Sequence, residues 1–471
     1  MPNYLNILLR IAICLFLGLS SGVFAQKDTI KYDISLSGLS STGKESPFWL
    51  HSRDYGITSS TPQSAGLILG INKEFKNHPT LFDYGFGAKL LLKTDNLTSN
   101  AYFHELFAKV RFSFLDLIIG SREEHPGNQD SSLSSGGLLF SQNARPMPKI
   151  TIGIGHFVPI PFTYGYIEIK GALTHGWFND NSYVQGELLH HKYACLKLGG
   201  RLPVHLQLGL DHVAQWGGTV PGYGAQTTGF KDYLTVFLGR SGGTGGELIN
   251  ALGNHIISQS VRMDADISDF KIAAYWQNIS EDGPIRLIGF TMNATDGLWG
   301  VSLRNKKFPY IQAIVYEYLN TDDQSGPYHD KDGIVYGGGD SYFTNYIYQS
   351  GWSYFSKTIG TPFILPQLPD NTGFRMSRNN RIQLHHVGIE GDVSSYAYRL
   401  LGSFSKNYGT FGVPFSPMIH NTSLLLELNK SLPKVANIHV GCKIAADFGE
   451  LYGNSLGFQL SVRKSGNLFN Y

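Results

Sequence analysis

Ser455-Leu-Gly-Phe-Gln-Leu-Ser-Val-Arg463 sets Leu456, Phe458, Leu460 and Val462 on one side of an extended chain and polar or small residues on the other. Successive side chains of a strand point to opposite faces, so this stretch reads as a strand with one apolar face. It lies close to an aromatic C-terminal residue, Tyr471. That resembles the terminal strand by which barrel assembly machinery recognises its clients, although further residues follow Val462.

The same period of two recurs along the whole chain. Ile30, Tyr32, Ile34 and Leu36 alternate with Lys31, Asp33, Ser35 and Ser37. Tyr84 to Leu92 alternates apart from Leu91, and Leu106 to Phe112 alternates apart from Phe107. Ile167–Thr174, Val204–Asp211 and Tyr396–Ser405 follow the same rule. A soluble sandwich and an outer-membrane barrel both produce this pattern. Full charges on the face opposite the apolar one (Lys89, Lys109, Arg111, Lys170, Arg399) suit a wet lumen. Charged residues are only 16% of the chain, aromatics 13%, and there are 55 glycines, as expected where the outer face meets lipid and turns are tight.

The N-terminus supplies an export signal. Arg10 precedes the apolar run Ile11–Leu19, and Ser20, Ser21 and Gly22 lead to Val23-Phe24-Ala25. Residues 1–25 therefore read as a secretory signal peptide, and 26–471 as a single outer-membrane domain. No later apolar run is long enough for a membrane helix. A net charge of +2 without a basic cluster argues against a nucleic-acid partner. Cys195 and Cys442 remain after processing, on polar and apolar strand faces respectively, so no disulfide is expected. The fold class is all-β: a transmembrane antiparallel barrel of about 16–18 strands with one or two short helices in a long loop or plug.

Connections differ in length. Ser113–Asp116 is a tight reversal, whereas Glu123–Pro148 is long, polar and rich in Ser and Gly. In Trp216–Ser258, Phe230, Tyr233, Leu234 and Phe237 recur at helical spacing, which predicts a helix in an external loop or in the lumen. Gly337–Pro366, GGGDSYFTNYIYQSGWSYFSKTIGTPFILP, crowds Tyr342, Phe343, Tyr346, Tyr348, Trp352, Tyr354 and Phe355 among Asp340, Asn345 and Gln349. Rings can cover the apolar faces of sugars while carboxylates and amides take hydroxyls. The alternative is that the same rings pack a core.

Other chemistry is weaker. Gly239-Arg-Ser241-Gly-Gly243 fits G-x-S-x-G, but the elbow requires a strand before it and a helix after it, and the region is low-complexity glycine. His190-His191 and His385-His386 are adjacent on strands and point to opposite faces, so neither pair chelates a metal. Asp322, Asp323, Asp330 and Asp332 lack the spacing of a calcium loop. No enzyme activity, metal or cofactor is expected.

Several spaced segments together resemble the Wzi family of capsule-assembly outer-membrane proteins. They are Asp340, Tyr342, Phe343, Gly351, Trp352, Tyr354, Gly360 and Pro362; Asp232-Tyr233, Gly246-Glu247, Asn250 and Gly253-Asn254-His255; Tyr316-Glu317-Tyr318 and Ser325-Gly326; Arg381–Gly388; and Asn407–Thr410. The resemblance implies an 18-stranded barrel and a non-enzymatic surface lectin that helps attach or assemble capsular polysaccharide. Family members carry an N-terminal helical bundle, whereas residues 26–63 here read as a strand plus loop. Glycan-binding candidates are Asp340, Tyr342, Asn345, Tyr346, Trp352 and Tyr354, with Glu247 and His255 from the loop region. The expected partners are capsular or other surface polysaccharide, outer-membrane lipid, and barrel assembly machinery during biogenesis. The competing expectation is a porin-like diffusion channel.

Overall fold

The computed structural model describes residues 29–76, 80–242, 251–281, 295–326, 340–369, 375–433 and 437–470. The expected signal peptide, Glu247 and the Asp330/Asp332 turn lie outside them.

Eighteen antiparallel strands form one sheet that closes on itself. In chain order they are β1 (Thr29–Ser41), β2 (Gln63–Lys73), β3 (Phe82–Asp95), β4 (Ser99–Phe112), β5 (Leu115–Ser121), β6 (Lys149–Pro159), β7 (Ile167–Trp177), β8 (Leu188–Leu198) and β9 (Val204–Trp216). Then follow β10 (Asn254–Ile267), β11 (Phe270–Glu281), β12 (Gly297–Asn305), β13 (Ala313–Asn320), β14 (Arg381–Val393), β15 (Tyr396–Gly409), β16 (Pro414–Leu432), β17 (Ile438–Gly449) and β18 (Ser455–Asn470). Each strand pairs with its neighbours in sequence, and β1 closes on β18 in a register running from Thr29↔Asn470 to Ser41↔Gly457. Closure leaves no unpaired edge, the condition for a sheet to cross lipid. After Val462 the closing strand continues to Asn470.

The two ends of the barrel differ as the sequence predicts. Residues 113–114, 268–269 and 394–395 are tight reversals at the end that holds both termini. At the opposite end lie the long connections 42–62, 122–148, 217–253 and 321–380. Short turns mark the periplasmic end and long loops the external one. Phe112, Phe114, Phe162, Tyr164, Phe308 and Tyr310 are exposed around the periplasmic rim. Further up the outer wall, Trp276, Trp299, Tyr318, His385 and Phe404 stand side by side in register. Such aromatic girdles bound the lipid-facing band of outer-membrane barrels.

The two exceptions to alternation have a structural reason. Leu91 is fully buried and faces inward against Gly66. Phe107 also faces inward, where the guanidinium of Arg122 lies 5.4 Å from its ring centroid. Helix α1 (Phe48–His51) is a single turn within the first external connection, and α2 (Phe230–Phe237) is the helix predicted from spacing. Among the described residues there is no N-terminal helical bundle: the first described element is β1.

Candidate functional site

The external half of the lumen is filled. Leu133, Leu138 and Leu139 from the 122–148 connection pack with Phe48, Trp49 and Leu50 of α1 and with Tyr342, Phe343, Trp352, Tyr354, Phe363 and Ile364. Inward residues of the wall join the same cluster, among them Val213, Ile256, Leu298, Val315, Leu384 and Leu425. The barrel therefore has an apolar core where an open pore would hold water. The plug comes from residues 42–62, 122–148 and 340–369, not from the 216–258 segment.

Polar groups on the inner wall fix this plug. Glu317 on β13 is fully buried and accepts three hydrogen bonds: Ser135 N at 2.6 Å, Ser135 Oγ at 2.5 Å and Tyr275 Oη at 2.6 Å. Gln277 accepts from Leu138 N at 2.9 Å, and His386 meets the Leu133 carbonyl at 2.8 Å. Arg304 grips Asp130 with two nitrogens at 2.8–3.0 Å, and Arg399 donates to Ser132 O at 3.0 Å. Gly388 lets the plug approach: a Cβ there would stand 2.7 Å from the Leu133 carbonyl oxygen. These wall groups thus each have a plug backbone or side-chain group as a partner.

The residues that carry the family resemblance mostly join plug to barrel. Tyr342 Oη donates to Ile279 O at 3.2 Å and accepts from Ser325 N at 2.8 Å. Trp352 Nε1 donates to Leu139 O at 2.8 Å, and Tyr354 Oη donates to Asn179. Asn345 accepts from Ile347 N and Tyr348 N, both at 2.9 Å, closing a turn. Gly351 has φ +64°, and a Cβ there would meet the Phe343 carbonyl oxygen at 2.0 Å, so only glycine fits. Tyr342, Asn345, Trp352 and Tyr354 are buried, so the three rings pack the plug and Asn345 holds its turn. His255 is buried too, on the outer wall: its Nε2 meets Leu252 O at 2.9 Å and its Nδ1 meets His212 at 2.7 Å.

Two candidates reach the surface. Asp340 is half-buried, held by Ser325 Oγ and Ser341 N at 3.0 Å each. Burial raises its carboxyl above the ordinary value, with those two donors opposing. Tyr346 is 54% exposed. Its phenol is hydrogen-bonded to that of Tyr223, itself 60% exposed, and this bond raises the Tyr223 phenol; Tyr183 lies near enough to add to the effect.

Three connections build this tyrosine group. Gln185 and Thr219 exchange backbone hydrogen bonds at 2.8 and 3.0 Å, Tyr183 N donates to Ser350 Oγ at 2.8 Å, and Tyr348 Oη donates to Gly217 O at 3.3 Å. Val184, Val220 and Tyr348 form a small core beneath. The outcome is a set of rings held from below with their faces and hydroxyls at the external surface. Tyr183 and Tyr223 escaped the sequence reading. The available signal was an aromatic isolated between turn formers, in Gly222-Tyr-Gly224 and Asn179-Asp-Asn-Ser-Tyr183.

Below the plug lies a cavity of about 380 Å³, lined by Lys109, Arg111, Asp116, Lys149, Lys170 and Asp211 among others. Its charges are largely paired, Arg111 with Asp116 at 2.6 Å and Lys149 with Glu124. Cys195 faces this cavity, whereas Cys442 pairs in register with exposed Leu460; both are free. His386 points inward and His385 outward to Tyr316, as expected for neighbours on a strand. The G-x-S-x-G match lacks its elbow, because Val236 and Phe237 end helix α2 instead of forming a strand.

No family model matches the chain, and no curated protein matches it. Among solved structures it is similar to Wzi of Escherichia coli, an outer-membrane protein involved in group 1 capsule assembly and a carbohydrate-binding β-barrel. The identity is 12%, covering 94% of this chain and 85% of that one, with a TM-score of 0.57. It is also similar to OprD of Pseudomonas aeruginosa (9% identity, 96% and 98% covered, TM-score 0.49) and to OccK3 (OpdO) of the same organism (13%, 94% and 96%, 0.48). At these identities the likeness to Wzi shows the fold: an outer-membrane barrel of the same general plan.

Proposed function

We propose that this protein is a non-enzymatic outer-membrane lectin that holds capsular or other surface polysaccharide at the cell exterior. The observation that carries the reading is the plug. An external lumen filled by a continuous apolar core is suited to presenting a rigid loop surface, not to passing solutes. On that surface Tyr183, Tyr223 and Tyr346 offer faces for stacking and hydroxyls for hydrogen bonds, with the side chains positioned by the core beneath them. Asp340 would act as an acceptor at the edge of the plug, and Glu247 remains a candidate from sequence position. Tyr342, Asn345, Trp352, Tyr354 and His255 would contribute by holding the surface in shape.

Each ring gives a modest contact, so retention of a long polymer rests on many copies engaging one chain. The test is deletion of the gene, followed by comparison of polysaccharide on cells and in the medium. Total polymer unchanged but shifted into the medium supports the lectin. An unchanged partition sinks it and favours the channel reading, which the charged cavity below the plug would then serve.

A further inference from the structure

The outer wall at β7–β10 carries residues that do not suit lipid. In the neighbouring register, His191, Tyr193 and Cys195 line the inner cavity, so His190 and Lys192 point outward. Pairing places His175, Ala214 and His255 in the same outward row as His190, and His212 beside Lys192. A lysine on the lipid face costs roughly 2–4 kcal/mol at mid-membrane and less near the interface. Here the patch is covered. Helix α2 lies against the outside of the barrel, its Val236 and Tyr233 packed with Ala214, Trp216, Leu188 and Leu252. The Lys192 ammonium donates to the Phe237 carbonyl and sits 3.9 Å from the centre of that ring. His190 is fully buried beneath, with the rings of Tyr233 and Phe237 each 5.5 Å away.

Beside the packed side, α2 and its C-cap Leu238 expose a second apolar stripe, bordered by exposed Lys231 and by Thr235. Phe230, Leu234 and Leu238, spaced by four, are 77%, 43% and 46% exposed. A helix that packs one apolar face on a soluble core normally shows water a polar one. This one is attached near the external ends of β8 and β9, on the wall whose lower part forms the lipid-facing band, so its free face continues that band.

We propose that α2 is a membrane-interface helix: it seals the His190/Lys192/His212 patch and inserts Phe230, Leu234 and Leu238 among acyl chains of the outer leaflet. The partner is lipid, and the site is independent of the tyrosine surface.

The test places a fluorescent label at Leu234→Cys, or at Phe230→Cys should the first variant fail to fold, in a Cys195→Ser/Cys442→Ala background. Folding is checked by the difference in gel migration before and after boiling. The labelled protein goes into phospholipid vesicles with spin-labelled lipid or aqueous iodide as quencher, and Val413→Cys, on the 62% exposed loop residue, is the water control. The proposal expects lipid quenching severalfold above that of the control, with iodide quenching severalfold below it. Iodide quenching equal to the control would put the helix in water and overturn the idea. Protection from both quenchers would overturn it as well, because a protein, a second copy included, would then cover the face.

Discussion

Glu317 shows how much of this barrel rests on single polar side chains. Its two oxygens take three donors inside an apolar core: Ser135 N, Ser135 Oγ and the Tyr275 hydroxyl. Glu317→Gln keeps the shape but turns an NH2 group toward donors. We expect a loss of about 1–3 kcal/mol, read as a lower unfolding midpoint in detergent. Tyr275→Phe should cost less, because it removes one donor and leaves the carboxylate two. Equal losses would mean that the Tyr275 bond dominates the joint. A second residue-scale consequence concerns pH. Asp296 sits at the external end, just before β12, where burial raises its carboxyl to about 7 despite hydrogen bonds from Asp323 N and Gln324 N. A raised folded-state value favours the neutral form. Its stabilising contribution is therefore full below the ordinary carboxylate range and is lost as pH rises through about 7. Hydrogen exchange at Gln324, corrected for the intrinsic rate, should show protection falling from about pH 5 to pH 8 and nearly flat in Asp296→Asn. Protection that rises with pH in the native protein would contradict this.

At the scale of elements, the strands were legible and the plug was not. Alternation of Leu456, Phe458, Leu460 and Val462 reports a strand because its period is local. Ser135 and Glu317, by contrast, lie 182 residues apart, and no local pattern connects them. Leu133, Leu138 and Leu139 sit in a Ser/Gly-rich connection without periodicity, so the stretch reads as an external loop and folds inward instead. The aromatic stretch was visible, but type alone could not separate rings that bind from rings that pack. Trp352 and Tyr346 are six positions apart, and their exposures are 1% and 54%. Helix α2 was legible from spacing, whereas its seat outside the barrel was signalled only by Lys192 and His190 breaking the lipid face. The plug loop yields its own prediction. Arg304 holds Asp130 in a fork that lysine cannot reproduce. Arg304→Lys should leave the barrel folded and heat-modifiable while 122–148 becomes measurably easier to cut by trypsin in limited digestion. Cleavage at the native rate would show that Glu317, Gln277 and Arg399 hold the loop without it.

For the whole molecule, a closed barrel with an apolar stopper makes a statement about conductance that separates the two functional readings. The wall on its own encloses a lumen wide enough for water in barrels of this strand number. What fills the upper half here is three chain segments joined by buried hydrogen bonds, so opening it would require the Leu133–Trp352 core to come apart. Trp352→Ala, removing the largest fully buried ring, should cost about 3–5 kcal/mol of plug stability. Purified protein in planar bilayers should therefore pass little current. A deletion of residues 130–147 should pass far more, because it removes Leu133, Leu138 and Leu139 together with the Ser135 donors to Glu317 and the Leu138 donor to Gln277. Trp352→Ala should fall between, with flickering openings as the weakened core exchanges with water. Steady conductance in the intact protein would mean that solute finds a route past the plug from the charged cavity, and the diffusion channel would become the better reading. A closed native protein beside a conducting deletion variant would leave the external surface, with Tyr183, Tyr223 and Tyr346, as the part of the molecule available for work.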